Sequence, residues 1–392
     1  MAQSCVPCYE RPRNFQWYWK SSDVKWEEYL DVENEIIEDA HNERHEYVDI
    51  DGGYTIDLKQ QVQEKSNSHE RWPIKRDQFD KHLTNVQLRK DRFSSPITIS
   101  TQKTTTTTCS DQNMLGEDDL LKYWLNKGSL DDIYRDLENA DNKKTISDLT
   151  QEASNGIIQE GISIGEAEKA RWLARQLNNV KNYGENMQFG PNTIPSEIGK
   201  TLVNLYTRDT FWCKLINSVI RDLSTMTRKK VNTIGPFCVL LRSYINDQGD
   251  NPFPSIVYRG LTLTDEERKN FMKEEMRFTA FTSTSKNRTL AELLGNTLLI
   301  IDLNVKERRH GSLIKIGRDI SMMSNFPEEE EYLIIPRSTF NFEKYEYDES
   351  KDLQKHIVYL KGSNENNLQV SLVNFDSLMG KHGRVLYNQK RT

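Results

Sequence analysis

The apolar pattern of this chain changes near residue 255, and that change is the strongest constraint on its fold. Before it, apolar residues recur at helical spacing, most clearly in 167–180 and 202–223. After it come short runs rich in β-branched and aromatic residues, including SIVYRG, MRFTAFTST, TLLIIDLNV, YLIIP and HIVYLKG. Helices that precede strands, without alternation between the two, predict an α+β fold.

Composition separates the earlier part of the chain into three regions. Residues 12–79 are dense in Trp and Tyr and form the first predicted domain. Residues 80–113 include five consecutive threonines and few apolar residues, which predicts a flexible linker. The region 114–189 is helical in pattern, with an apolar face at 120–125 that ends at Gly128, and the sequence assigns it no role.

Charge and cysteine content narrow the possible classes of function. The formal net charge of −6 disfavours a general nucleic-acid binder, and we expect no sequence-specific nucleic-acid partner. The five cysteines are few and scattered, so a reducing compartment is expected instead of a disulfide framework. Cys5 and Cys8 have the spacing of half a zinc site, but no second pair follows, and we expect no metal.

The sequence also bears on localisation. The N-terminal residues MAQSCVPCYERPR contain no apolar segment of the kind found in signal peptides. No run approaches the roughly 20 apolar residues that a membrane helix needs. We therefore expect a cytoplasmic or nuclear protein without a membrane partner.

Two polar features stand among the strands after residue 255. Arg259 follows an apolar run and precedes Gly260. This pair suits a phosphate ligand, because a guanidinium can form two parallel hydrogen bonds and glycine admits close approach. A structural salt bridge is the alternative. The run FTSTS contains Ser283, Thr284 and Ser285, which either bind a ligand or belong to an ordinary threonine-rich strand and turn.

The third feature is an acidic run of four glutamates directly before the apolar YLIIP. If the backbone is extended from Glu328, side chains alternate between faces, so Glu329 and Glu331 share one face while Glu328 and Glu330 share the other. Two carboxylates on one face, roughly 7 Å apart by the strand rise, could act on two atoms of a reacting pair. A solvated loop before the strand is the alternative.

In chain order these features are an arginine, a serine-threonine-serine run and a Glu-x-Glu pair. This order resembles the R-S-E motif of the arginine-specific mono-ADP-ribosyltransferases, and VYRGL, FTSTS and FPEEEEYLIIPRSTF are similar to the strand segments of that family. LYTRDTFWCKLINSVIRD resembles the helix before them. The resemblance implies a catalytic domain over 190–350, with a helical subdomain followed by a mixed β core, and a final strand and tail over 351–392.

The resemblance implies NAD as the substrate, which would give its ADP-ribose to arginine side chains of acceptor proteins and release nicotinamide. Arg259, assisted by Gly260, would bind the NAD diphosphate. Ser283 would position NAD, and Ser324 in the loop before the acidic run would contact it.

The two glutamates of the pair receive different roles from the same resemblance. Glu331 would stabilise the positive charge that develops on the ribose, as a carboxylate does in glycoside hydrolysis. Glu329 would orient the acceptor guanidinium and help to remove its proton. Two alternatives stay open: a non-catalytic adaptor that only binds ADP-ribose or NAD, and an NAD glycohydrolase that passes ADP-ribose to water.

Residues 12–79 have their own pattern. Trp17 and Trp26 begin short aromatic segments, a helical ENEIIEDAHN follows, and YVDI, GYTIDL and a basic RWPIKR come after it. Several strands around one helix predict a small half-barrel with Trp17 and Trp26 in its core. The order of these segments resembles a WWE domain.

The WWE resemblance implies a ligand, the iso-ADP-ribose unit of poly-ADP-ribose. Poly-ADP-ribose or ADP-ribosylated proteins would then be partners of this domain, and the linker would hold the enzyme near them. The implied ligand contacts are Trp19, Tyr54, Gln63 and Arg71. Trp72 could take the place of Arg71 among them.

Overall fold

The computed structural model describes residues 7–11, 14–21, 25–68, 70–78, 88–100, 130, 134, 144–190, 193–222, 225–247, 254–306, 313–349 and 354–363. The predicted helix at 120–125, the threonine run and Cys5 lie outside the described residues. Within the described part, no helix is both long enough and apolar enough to cross a membrane.

The N-terminal unit is an antiparallel sheet that curves around one helix, as the sequence predicts. Its elements are β1 (Phe15–Lys20), β2 (Trp26–Glu28), α1 (Asp31–Asn42), β3 (Tyr47–Ile50), β4 (Tyr54–Asp57), β5 (Val62–Lys65) and β6 (Arg71–Gln78). The strand order is β2-β1-β6-β5-β4-β3, so the two longest strands, β1 and β6, lie side by side.

The two tryptophans that the sequence assigns to this core differ in burial. Trp17 is buried, and its indole N–H donates to Glu38 on α1, which also accepts from Nε and Nη2 of Arg76. Trp26 is 37% exposed, so the prediction that it belongs to the core is wrong. It lies on β2, an edge strand with one neighbour, and its ring packs beside the Lys75 ammonium at 5.0 Å.

Residues 88–100 were predicted to belong to the flexible linker, and the structure differs there. They form α2 (Lys90–Phe93) and β7 (Ile99–Ser100), and β7 pairs with a strand of the C-terminal sheet. Leu88 and Phe93 are buried. The linker prediction was based on low apolar content. It failed here because the few apolar residues lie among polar ones and their packing partners are distant in the sequence.

The helical subdomain precedes the larger sheet. Its helices are α3 (Ile146–Ser163), α4 (Ala167–Val180), α5 (Ser196–Thr207), α6 (Phe211–Arg221) and α7 (Arg228–Asn246). The predicted helical stretch 202–223 is two helices, because Thr210 caps the second by accepting from the N–H of Trp212. Gly156 of α3 lies so close to α7 that an added Cβ would be 1.9 Å from the Thr233 carbonyl oxygen.

The C-terminal half is a mixed sheet, as predicted, and two short helices lie between its strands in the chain. Its elements are β8 (Ile256–Leu261), α8 (Asp265–Asn270), β9 (Met276–Phe278), β10 (Thr282–Ser285), α9 (Arg288–Glu292), β11 (Thr297–Asp302), β12 (Val305–Lys306), β13 (Leu313–Ile314), β14 (Gly317–Asp319), β15 (Glu331–Ile334), β16 (Thr339–Asp348) and β17 (Lys355–Gly362). The main sheet has the order β14-β15-β10-β8-β11-β17-β16-β9-β7, and β12 and β13 form a separate two-stranded sheet. The pair β11–β17 is parallel, whereas its other pairs are antiparallel.

Strand order determines where the candidate site lies. β8, β10 and β15 are neighbours, and they carry or adjoin the three polar features of the sequence. The run MRFTAFTST is two strands at different positions in the sheet, with β9 near one edge and β10 near the other.

The N-terminal unit packs directly on the helical subdomain. Asp31, at the start of α1, accepts from the buried Arg208 guanidinium at 2.6 Å and from the Asn325 side chain at 3.0 Å. Asp39 accepts from the Trp172 indole at 2.9 Å. Asn325 lies just before the acidic run, so the first unit contacts the loop that leads to the candidate site.

Candidate active site

The arginine of the site is enclosed by the sheet. Arg259 lies within β8 and not at its end, is 1% exposed, and donates through Nη1 to the carbonyl of Ser283 on β10. Ser283 is itself buried and pairs with Leu333 of β15. Two of the predicted site residues are therefore in direct contact.

The acidic run does not form the extended backbone that the sequence was expected to have. Residues Pro327–Glu329 form a 3-10 turn, Glu330 has a left-handed φ of 48°, and β15 begins at Glu331. The prediction of strand alternation from Glu328 is wrong. The turn and the left-handed residue nevertheless bury Glu329 and Glu331, at 1% and 0% exposure, while Glu328 is exposed and Glu330 half-buried.

The hydroxyl run on β10 holds this turn in place. The Ser285 hydroxyl donates to the carbonyl of Glu329 at 2.9 Å, and the Thr284 hydroxyl donates to the carbonyl of Tyr332 at 2.7 Å. The Asn287 side chain donates to the Glu330 carboxylate at 3.0 Å. These hydrogen bonds explain why a turn replaces the extended conformation.

Arg259 is a buried cation whose hydrogen-bond partners among the described residues are carbonyl groups. Its Nη2 donates to the carbonyls of Ser95 at 2.6 Å and Arg92 at 3.4 Å, and its Nε has no partner among the described residues. No carboxylate of the described chain lies within ion-pair distance of it. Burial, followed by the positive charge of Arg221, lowers the pKa of Arg259 to about 9. A buried charge without a counter-ion is costly, so this position suits an anionic ligand.

Both buried glutamates bind arginines from residues 88–100. Arg89 binds Glu329 through Nη2 at 2.7 Å and through Nε at 2.8 Å. Arg92 binds Glu331 through Nη2 at 2.7 Å and through Nε at 3.0 Å. Burial alone would lower the pKa of Arg92, but the carboxylate of Glu331 outweighs it and raises that pKa.

The sequence interpretation missed Arg89 and Arg92. Their spacing of three residues in QLRKDRF puts both on one face of a helical turn, which was a usable signal. A basic turn on the surface has the same pattern, so the sequence could not show that these side chains meet carboxylates 239 and 240 positions away.

A cavity of about 320 Å³ lies beside this pair, between α6 and the segment that carries Arg89 and Arg92. Arg221, the last residue of α6, lines it together with Asn217 and Ser95. Among the described residues no carboxylate forms an ion pair with Arg221, and burial lowers the pKa of its guanidinium. The cavity therefore offers a second guanidinium to an anion, one that the sequence interpretation also missed.

Two other predicted residues lie at the edge of this arrangement. Gly260 is required by packing, because an added Cβ would lie 2.2 Å from the Ala291 carbonyl oxygen and 2.5 Å from that of Leu294. Its role in ligand approach stays a prediction. Ser324 is nearly buried in the loop before the turn, and its hydroxyl accepts from the N–H of Phe326. Phe326 stacks on the Arg89 guanidinium at 3.6 Å.

The predicted ligand residues of the N-terminal unit divide into two groups. The rings of Trp19 and Tyr54 both contact Trp72 edge-on, at centroid distances of 6.4 and 6.0 Å. Gln63 pairs with Trp72 across β5 and β6, and its side-chain oxygen accepts from the Tyr29 hydroxyl at 2.7 Å. These residues share one face of the sheet.

Arg71 does not join that group. It alternates with Trp72, faces the other side of β6 and forms an exposed ion pair with Glu64 at 2.8 Å. Lys65, which the sequence interpretation missed, lies over the Tyr54 ring at 5.8 Å and supplies a cation on the aromatic face. Across the described ranges, no group of three His, Cys, Asp or Glu residues could hold a metal ion.

Helices followed by a mixed sheet, behind a small unit of strands around one helix, are consistent with a WWE domain joined to an ADP-ribosyltransferase fold. Residues 15–76 match the WWE domain family. Residues 125–367 match the family described as NAD:arginine ADP-ribosyltransferase, and the chain belongs to this family because the match spans more than half of its length. ADP-ribosyltransferases use NAD as their substrate. The match begins at residue 125 and thus includes α3 and α4, which the sequence left without a role.

Similar solved structures include three bacterial proteins. ADP-ribosyltransferase HopU1 of Pseudomonas syringae pv. Tomato DC3000 is 20% identical, with 43% of this chain and 77% of that chain covered and a TM-score of 0.35. The type III effector XopAI from Xanthomonas axonopodis pv. citri is 14% identical, with 64% and 95% covered and a TM-score of 0.41. Exoenzyme S from Pseudomonas aeruginosa is 16% identical, with 55% and 88% covered and a TM-score of 0.36. These TM-scores are low, so membership is based on the family match. No curated protein matches the chain in sequence.

Proposed function

We propose that this chain transfers ADP-ribose from NAD to arginine side chains of proteins and releases nicotinamide. The observation that carries the proposal is that Glu329 and Glu331, both buried, each bind a guanidinium through two of its nitrogens. A pair of carboxylates that accommodates the arginine fork favours arginine over lysine as the acceptor, because an ammonium cannot present two parallel donors.

The reaction breaks the bond between the nicotinamide nitrogen and C1′ of the ribose, and the bonding electrons leave with nicotinamide. The ribose then carries positive charge, and Glu331 is our candidate for the carboxylate that stabilises it. A guanidinium nitrogen of the acceptor attacks C1′ and loses a proton, for which Glu329 is the candidate base.

The remaining predicted residues would hold NAD. Arg259 is the candidate for the diphosphate, and the absence of any anion beside it among the described residues supports this role. Arg221 would add a second guanidinium from the neighbouring cavity. Ser283, and Ser324 in the loop, are the candidate positioning contacts.

The test is nicotinamide release from NAD, measured with and without an arginine acceptor such as agmatine. Glu331→Gln should lower both activities by about 100-fold or more, the scale for loss of one electrostatic stabiliser. Glu329→Gln should lose transfer to arginine and keep much of the hydrolysis, because water needs no guanidinium contact. Glu328→Gln, at an exposed neighbour, is the matched control and should change neither.

Several results would contradict this function. If Glu329→Gln and Glu331→Gln matched the control, the acidic turn would not be catalytic. Nicotinamide release that does not change when any arginine acceptor is added would identify an NAD glycohydrolase. Binding of NAD with no nicotinamide release in any variant would identify a non-catalytic adaptor.

For the WWE domain, we propose binding of iso-ADP-ribose, the repeating unit of poly-ADP-ribose. The cluster of Trp19, Tyr54 and Trp72 supports stacking of the adenine, and Lys65 is a better candidate for the phosphate than the predicted Arg71. In calorimetry with the full chain, Trp19→Ala should abolish binding, whereas Arg71→Ala should leave it nearly unchanged. Equal binding by the wild-type chain and Trp19→Ala would reject this site.

A further inference from the structure

One short stretch of the chain contacts most of the proposed catalytic machinery. Residues 88–95, called the inhibitory segment below, supply Arg89 to Glu329 and Arg92 to Glu331. The same segment supplies the carbonyls of Arg92 and Ser95 to the guanidinium of Arg259. Three of the four proposed catalytic residues thus have their polar groups bound by this segment.

On this basis we infer that the inhibitory segment holds the enzyme inactive, because it occupies the positions of NAD and of the acceptor arginine and must leave before either can bind. The inference rests on the proposed function. It adds that the chain carries its own competitive inhibitor between its two domains.

The segment matches the substrates group by group. The Arg89 guanidinium on Glu329 has the chemistry of an acceptor arginine. The Arg92 guanidinium places a positive charge beside Glu331. The ribose of NAD would place its developing positive charge at the same carboxylate. Carbonyl oxygens on Arg259 take the place of phosphate oxygens, which bind a guanidinium more strongly because they are charged. Substrates can therefore replace the contacts that the segment makes with Glu329, Glu331 and Arg259.

Apolar anchors hold the segment when the site is closed. Leu88 and Phe93 are 4% and 0% exposed and pack in one cluster with Leu294, Leu298 and Ile300. Downstream, Ile99 pairs with Phe278 at the edge of the sheet. Contacts on both sides of Arg89 and Arg92 hold their guanidinium groups at the carboxylates without a large loss of entropy on binding.

The segment also has a route out. Only its inner side is buried: Lys90 and Asp91 face solvent, and the Arg89 side chain is 20% exposed. The cavity with Arg221 lies directly alongside Arg92 and Ser95. An anionic substrate that enters there meets Arg221 first and then competes with the segment for Arg259.

The experiment compares the full-length wild-type chain with Arg92→Ala, Arg89→Ala and the matched control Lys90→Ala. Binding of a non-hydrolysable carbocyclic NAD analogue is measured by calorimetry, and nicotinamide release is measured at varied NAD. Arg92→Ala should tighten analogue binding and lower the KM for NAD by at least about tenfold. The apparent dissociation constant equals the intrinsic one divided by the fraction of protein in the open form, and the variant increases that fraction. Arg89→Ala should mainly lower the KM for agmatine. Lys90→Ala should match the wild type.

A second measurement tests displacement without relying on a variant. Trypsin cleaves after Arg89 and Arg92 only when the segment leaves its site, so the analogue should accelerate cleavage there in the wild-type chain. Unchanged analogue affinity in Arg92→Ala, or binding in the wild-type chain without faster cleavage, would overturn the inference. If the analogue binds and exposes the segment but no variant releases nicotinamide, the proposed function fails and the displacement stands.

Discussion

At the scale of single residues, the environment of Arg259 indicates most directly that the ligand is an anion. Its guanidinium has three carbonyl partners, and its pKa is lowered to about 9, so it remains charged at neutral pH. A buried charge without a counter-ion is costly. The described residues supply no anion to it, so its interactions are complete only when a ligand brings one.

We therefore predict that Arg259→Lys weakens NAD binding although the charge is kept. Lysine is a point charge and loses one charge-assisted hydrogen bond of the fork, worth about 1.5–3 kcal/mol. Because Arg259 also binds the inhibitory segment, the comparison is made in an Arg92→Ala background, by titration with the carbocyclic NAD analogue. An unchanged dissociation constant would remove Arg259 from the NAD site.

At the scale of elements, the acidic turn buries the two glutamates that the sequence pairs, but through a backbone conformation that the sequence did not predict. Strand alternation predicted that Glu329 and Glu331 would face the same way, and the structure buries both, yet through a 3-10 turn and a left-handed residue. The sequence reveals charge pattern and apolar runs, which suffice for the mixed sheet and for the half-barrel. It does not reveal that Ser285 donates to the Glu329 carbonyl, because that contact joins residues 44 positions apart.

The left-handed Glu330 gives a test that separates turn from strand. A non-glycine residue at φ 48° is strained, so Glu330→Gly should keep or raise the thermal unfolding midpoint, although it removes the hydrogen bond from Asn287. Glu330→Val should lower the midpoint and the transfer to agmatine, because a β-branched side chain resists this conformation. An extended strand would show the reverse order, since valine favours strands and glycine weakens them.

The control for this pair of variants lies two positions earlier in the chain. Glu328 is exposed and lies within the 3-10 turn at an ordinary right-handed position. Glu328→Gly and Glu328→Val should therefore differ little from each other. If they differed as much as the Glu330 variants, a general sensitivity of the loop, and not the left-handed conformation, would explain the result.

At the scale of the whole molecule, the WWE domain is part of the framework that supports the site. The Asp31 carboxylate binds the buried Arg208, the N–H of Asp209 and the side chain of Asn325. The composition of 12–79 and 190–350 predicted two domains, but it could not predict this contact, because each of its residues is an ordinary surface type on its own. The same holds for the inhibitory segment, whose two arginines are explained only by carboxylates in another domain.

We predict that Asp31→Ala destabilises the chain far more than loss of a surface carboxylate does. Burial would lower the pKa of Arg208, and the Asp31 charge instead raises it. Removal of that charge leaves a buried guanidinium whose remaining acidic partner, within the described ranges, is Glu35 at 3.4 Å. Breaking a buried pair costs about 3–5 kcal/mol, and Glu35 should reduce that cost. Asp77→Ala, which removes an exposed pair with Lys75, is the control and should cost about 1 kcal/mol or less. Chemical unfolding reports both values, and hydrogen exchange should rise at residues 324–326 only in Asp31→Ala. Equal unfolding midpoints for the two variants would mean that the WWE domain does not support the catalytic loop.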